Sequence, residues 1–345
     1  RASTRDRDRL IGMVERADAT RLREAPSKRG LRGATRRVRD AGLEMRRDTM
    51  PAEGVSRTTA SPTLRPMRFE GERRSALALA IVPGRAPDVA SLVDHAASAV
   101  GRAEREGALL AYGFFPDELA GEVLERLAWT SLGPVPELVR PLRLSAAARW
   151  LARAPQVHAL ASRAPLVLPF GRRRRAGVRE ITTRDPRVTR LWDRFSIDVI
   201  AAVERSASHL GAEIFDRPTS GHRVLVFEDG DRYVIRALCA FRVRDEGERR
   251  RGYVTELLHD RSVAGMRAAS HLLGLALREM SDAGADSATA WSLHHSGSFP
   301  IYARHAFLPL RPARPLRLGV RPFDPAVAPY VRRREHWYLS LLDAV

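Results

Sequence analysis

The sequence predicts an α/β fold of two tandem units, each a mixed central sheet flanked by helices, the first unit incomplete. Three observations predict it. From Leu64 onward, apolar runs of strand length alternate with longer amphipathic stretches. The order helix, glycine, strand, loop, short helix, aromatic occurs twice. Its helix-ending glycines, Gly107 and Gly284, lie 177 residues apart, and its closing aromatics, Trp129 and Phe307, lie 178 apart. Two units in step over that distance point to duplication. Finally, 345 residues exceed one ordinary core and suit two domains.

The elements follow in order. Residues 1–63 are rich in Arg, Asp and Glu and poor in large apolar residues, which predicts a weakly ordered basic segment with short helices at most around Arg9–Ala19 and Ala34–Met45. The first unit spans 64–144. Ala76–Val82 reads as a strand broken by Pro83-Gly84, and Asp88 is placed to cap a helix from Val89 to Glu106. After Gly107, Ala108–Phe115 reads as a buried strand, Glu118–Leu127 as a helix and Val135–Leu142 as a strand. Residues 145–177 are a connector: an alanine-rich helix at Ser145–Ser162, then a linker at Pro165–Arg175 ending in four arginines. The second unit and a C-terminal extension span 178–345. Arg223–Glu228 and Tyr233–Arg244 flank Asp229-Gly230-Asp231, a hairpin signal. Gly252–Leu258 is the next strand, Val263–Asp282 a long helix, Asp286–Leu293 a strand and Pro300–His305 a short helix.

Composition narrows the function classes. The net charge is +18, yet the 59 basic residues include one lysine, Lys28, and roughly half of the excess falls within the first 75 residues. That pattern fits an arginine-rich, GC-biased coding sequence and solvated charge runs better than phosphate recognition, so nucleic acid is disfavoured as a partner. No stretch approaches the apolar length of a membrane span, and the charged start lacks a secretory signal's apolar core. The single cysteine, Cys239, excludes an internal disulfide framework and fits a cytoplasmic protein; its apolar neighbours predict a buried residue. No His, Cys, Asp and Glu cluster has metal-ligand spacing, so no metal is expected. Walker, Gly-x-Gly-x-x-Gly and nucleophile-elbow patterns are absent as well.

Four stretches carry a family resemblance: Ala111-Tyr112-Gly113-Phe114-Phe115-Pro116-Asp117; Leu127-Ala128-Trp129 with Gly133-Pro134-Val135-Pro136 and Val139-Arg140-Pro141-Leu142; Val203–Pro218 with His222–Leu225; and His336-Trp337-Tyr338-Leu339-Ser340-Leu341. Together they resemble tandem proteins of the GNAT superfamily of N-acetyltransferases, of the type associated with bacterial surface glycans. The resemblance covers about residues 64–345. It implies acetyl-CoA as cosubstrate and an amine or amino sugar as acceptor.

The CoA-binding loops are degenerate. Such a loop turns backbone N–H groups and a helix dipole toward pyrophosphate. In the first unit, Pro83 and Pro87 remove donors and Asp88 repels phosphate, so that unit reads as scaffold. In the second, His259–Met266 retains Arg261, Ser262 and Gly265 at a helix start, the expected cofactor-binding residues.

Acetyl transfer to an amine needs a base, a polarised thioester and an acid for the thiolate. Tyr302, four residues before Ala306, has the spacing of the family's acid; packing on a short amphipathic helix is the alternative. Glu256 lies where the family places a carboxylate base, with Thr255 and Leu257 on the opposite face of a regular strand; an exposed Glu at the cleft edge is the alternative. His294 ends a central strand, where open α/β sheets bind ligands, and is a second base candidate. The expected function is therefore an acyl-CoA-dependent N-acyltransferase of sugars or other small amines. The alternative is an inactive GNAT-like binding or assembly protein. The acceptor and the oligomeric state are not readable from these residues.

Overall fold

In the computed structural model the described residues are 61–80, 89–143, 176–217, 220–230, 233–247, 249–310 and 315–344. The helices expected at Arg9–Ala19 and Ala34–Met45, the loop at 82–88, the connector helix and the arginine-ended linker lie outside them.

Strands β1 (Ser61–Phe69) and β2 (Glu72–Ala80) form an antiparallel hairpin. Helix α1 (Val89–Arg105) carries the chain to β3 (Leu110–Pro116), which runs parallel to β2. Helix α2 (Asp117–Arg126), β4 (Thr130–Pro134) and β5 (Glu137–Pro141) follow. Leu77, Leu79, Ala111 and Phe115 face α1 and α2, and Trp129 packs edge-on against Phe115 at 5.5 Å. Ala76, Ala78, Tyr112 and Phe114 face the other way, as strand alternation requires. The strand expected at Val135–Leu142 is β5; β4, just before it, was not expected, and the two strands enter different sheets.

The second half begins with β6 (Val178–Ile181), α3 (Arg187–Phe195) and β7 (Ala201–Val203). A short helix α4 (Ala207–Leu210) runs into a π-helical turn, Gly211–Phe215. Then come β8 (Arg223–Asp229), β9 (Val234–Glu246), β10 (Arg249–His259), α5 (Val263–Asp282), β11 (Ser287–Trp291), α6 (Phe299–Arg304), β12 (Leu308–Leu310) and β13 (Leu316–Pro322). Helix α5 buries Ala269, Leu272, Leu273, Ala276, Leu277 and Met280, a stripe of helical spacing. The stripe covers Cys239, Phe241, Val254 and Leu257 on the sheet, so Cys239 is the buried apolar residue expected of it. Truncating Leu273 to alanine at this fully buried position costs about 2–5 kcal/mol.

Two sheets result, one ordered β4-β13-β3-β2-β1-β7 and the other β12-β5-β11-β10-β9-β8-β6. Their pairings correspond. β1–β2 and β9–β10 are antiparallel, β2–β3 and β10–β11 are parallel, and each is followed by an inserted antiparallel strand. That inserted strand comes from the other half of the chain. β13 lies between β3 and β4, while β5 lies between β11 and β12. Local geometry repeats too: Gly107 and Gly284 end helices at φ +75° and +89°, and Ala128 and Ala306 both sit at φ near +55°. Each half thus completes the other's sheet.

Candidate active site

Parallel strands β10 and β11 pair only from Arg251 to Val254 and from Ser287 to Ala290. β10 then runs on to His259, β11 ends at Trp291, and the strands part at their C-terminal ends. A β-bulge starts the divergence, because the register with β9 slips between Val254 and Glu256. The extra residue, Thr255, inverts the facing of the strand residues beyond it. Val254 and Leu257 therefore share the α5 face, whereas Leu258 joins the opposite core with Phe195 and Tyr338. Glu256 turns toward Tyr338 as well. Its expected opposition to Leu257 is met, but Thr255 is the bulge residue and not a regular neighbour. The loop after β11 bridges the gap, since the Ser298 hydroxyl donates to the Leu257 carbonyl at 2.8 Å.

Glu256 is fully buried and accepts four hydrogen bonds. Oε1 takes the Tyr338 hydroxyl and the Leu257 N–H; Oε2 takes Arg205 Nε at 2.5 Å and the Ser340 hydroxyl at 2.9 Å. Arg205 also donates to the Val203 carbonyl, to Ser340 and, at 2.8 Å, to Asp343. Burial opposes the charge on Arg205, but Asp343 and Glu256 reverse that, so its pKa is raised. A buried charge network of this kind holds only when every member is satisfied. Arg205, Tyr338, Ser340 and Asp343 were not expected from sequence. Arg205, Tyr338 and Ser340 lie in stretches that carry the family resemblance, but only the fold joins them, since Arg205 lies 51 residues from Glu256 and 138 from Asp343.

Tyr302, on α6, is buried among Cys239, Leu257 and Phe307, with the Phe307 ring edge-on at 5.2 Å. Burial, and after it Cys239 and Glu256, push its hydroxyl pKa well above the ordinary value. The phenol therefore stays protonated at neutral pH. His294 is exposed, with its ring 4.6 Å from Phe299, the first residue of α6. Burial of part of the ring, then Arg334 and His295, lower its pKa and keep the imidazole neutral. Tyr302 and Glu256 thus act on one another, while His294 stands at the N-terminal end of the helix that carries Tyr302.

The third group lies at the start of α5. The Ser262 hydroxyl caps the helix by accepting from Gly265 N–H at 2.9 Å. Arg261 turns back, donating to the Phe195 carbonyl at 2.8 Å with its guanidinium 5.3 Å from that ring's centre and 3.4 Å from Asp198. Buried His259 reaches the Asp260 carbonyl through one ring nitrogen and the Gly297 carbonyl through the other, so the α5 loop and the loop after β11 touch. Arg261, Ser262 and Gly265 therefore lie together at the end of β10. Among the described residues no group of three or more His, Cys, Asp or Glu side chains could hold a metal ion. No helix among them is long and apolar enough to cross a membrane.

No protein-family model and no curated protein matches the sequence. The fold does match solved structures. N-myristoyltransferase from Saccharomyces cerevisiae with bound myristoyl-CoA superposes with a TM-score of 0.51 at 13% identity, over 75% of this chain and 62% of that one. A second structure of that enzyme with myristoyl-CoA gives 0.50 at 15%, over 75% and 65%. A GCN5-related N-acetyltransferase from Anabaena variabilis stands at 0.47 and 10%, over 79% and 61%. The chain spans less than two thirds of the length of these proteins. The fold shared with N-myristoyltransferase is a mixed α/β one, with two sheets and flanking helices.

Proposed function

We propose that this protein is an acyl-CoA-dependent N-acyltransferase that moves an acetyl group onto an amine of a sugar or another small molecule. The observation that carries the reading is the Tyr302 phenol, buried and held protonated beside the Glu256 network where β10 and β11 part. Within an N-acyltransferase fold, that is a proton donor at the C-terminal ends of diverging parallel strands, where α/β sheets bind their ligands. The amine nitrogen attacks the thioester carbonyl, the C–N bond forms and the C–S bond breaks. Neutral His294 accepts the proton lost by the amine, Tyr302 gives its proton to the departing thiolate, and solvent returns the proton from His294 to Tyr302.

Glu256 is a positioning residue in this scheme. Acting as a base would cost it one of four hydrogen bonds in a buried site. Arg261, Ser262 and Gly265, the residues expected to bind the cofactor, stand at the start of α5 at the mouth of this site. A second reading, a binding or assembly protein without turnover, is favoured by one observation: Asp260 already places a carboxylate against that helix start. The two part on one experiment. Incubation with acetyl-CoA and a panel of amino sugars and alkyl amines releases free thiol and N-acetylated product under the first reading. Under the second, no acceptor yields product.

A further inference from the structure

Asp260 is a buried carboxylate that the chemistry above leaves unused. Its Oδ1 accepts from the Ser262 N–H at 3.2 Å and from the Ser262 hydroxyl, while Oδ2 is 2.9 Å from Arg236 Nη1. Arg236 in turn holds Asp229 at 2.6 and 3.0 Å, so its charge is shared between two carboxylates. Asp260 also lies against the first turn of α5. A Cβ added at Gly265 would collide with both Oδ1 and the carbonyl oxygen of Asp260, and only glycine permits that approach. The first turn of a helix is where a phosphate would otherwise be drawn by free N–H groups and the positive dipole end. Here Asp260 takes the N–H of the cap residue, Ser262, and sets its negative charge against that turn, while Ser262 Oγ takes the Gly265 N–H. Arg261, the remaining cation of the loop, is turned onto Phe195 and Asp198.

An incoming diphosphate would have to displace Asp260 or lie beside a like charge. We infer that Asp260 is a donor-specificity residue: by answering the α5 start internally, it makes the protein select its thioester by the pantetheine arm and acyl group, with little contribution from the nucleotide diphosphate. The inference rests on the acyltransferase reading and names its donor class, a pantetheine thioester, whether free as in CoA or carried on a protein.

The test compares acetyl-CoA, S-acetylpantetheine and an acetylated acyl carrier protein as donors, with kcat/KM measured for the wild type and for Asp260→Asn. For the wild type, acetyl-CoA and S-acetylpantetheine are expected within about threefold of one another. Asp260→Asn is near-isosteric, and it should improve acetyl-CoA by about tenfold, the size of one charge effect at a helix start, and leave S-acetylpantetheine unchanged. A carrier-bound donor that outruns both would assign the source to a carrier protein; parity would assign it to free thioesters. A wild-type preference for acetyl-CoA of about a hundredfold or more overturns the inference and leaves the acyltransferase reading standing. Equal changes for both small donors in Asp260→Asn overturn it too. If none of the three donors binds or turns over, both this inference and the acyltransferase reading fall. The wild-type comparison needs no variant, so a misfolded Asp260→Asn would not rescue the idea.

Discussion

Arg205 Nε meets Glu256 Oε2 at 2.5 Å with both side chains fully excluded from solvent, and Asp343 Oδ1 accepts from Nη2 of the same guanidinium at 2.8 Å. Removing the cation leaves two carboxylates buried without their counter-charge. Arg205→Met is expected to cost about 3–5 kcal/mol in urea unfolding. Glu256→Gln should cost less, because it removes one charge and keeps the shape. Equal stability of Arg205→Met and the wild type would mean the network is open to water.

Acid should destabilise the protein through its buried histidines. Burial, then neighbouring arginines, lowers the pKa of His209 to about 3 and of His222 to about 4, and burial with Arg140 lowers His305 to about 4. These groups titrate near 6.5 in the unfolded chain. Below pH 6.5 the unfolded chain therefore takes up protons that the folded chain refuses, so stability falls as pH falls from 6.5 toward 4. Each histidine contributes a slope of up to about 1.4 kcal/mol per pH unit in that window. Thermal melting from pH 7.5 to 4.5 checks this, and His209→Gln should flatten the profile.

Ala128 and Ala306 occupy the left-handed region at φ +54° and +55° without being glycine. Ala306→Gly and Ala128→Gly should each stabilise the fold by about 0.5–1 kcal/mol in urea unfolding, because the Cβ penalty exceeds the entropy that glycine adds to the unfolded chain. A loss of stability would show that the methyl groups pack usefully.

The exchange of β5 and β13 makes the halves interdependent. A fragment covering residues 61–143 retains β3 and β4 but lacks the strand that joins them. It should show no cooperative unfolding transition, whereas the whole chain should. Independent folding of that fragment would contradict the strand order.

Elements set by local pattern were legible. The α5 helix carries its stripe, its Ser262 cap and its Gly284 stop within one stretch, and the β8–β9 hairpin announces its turn at Asp229-Gly230. β1 was missed: Pro62 and Pro66 interrupt its pattern, yet its long pairing with β2 holds it as a strand. β4 was missed as well: it is five residues long with one buried position, and its partner β13, far along the chain, makes it a strand. At the candidate site, the spacing before Phe307 is what singles out Tyr302 in the sequence. The bulge at Thr255 has no sequence signature, and Asp260 looks like any loop acid until its contacts with Ser262 and Arg236 are seen.

In the proposed reaction Tyr302 protonates the leaving thiolate of an acyl donor. The most direct measurement of this step is thiol release from acetyl-CoA with a responsive amine, for the wild type and Tyr302→Phe, alongside donor binding followed by thermal shift. The expected result is turnover in the wild type, a loss of about a hundredfold or more in Tyr302→Phe, and an unchanged donor-induced shift in melting temperature. Turnover by Tyr302→Phe at the wild-type rate, or no thiol release by the wild type with any amine, would contradict it.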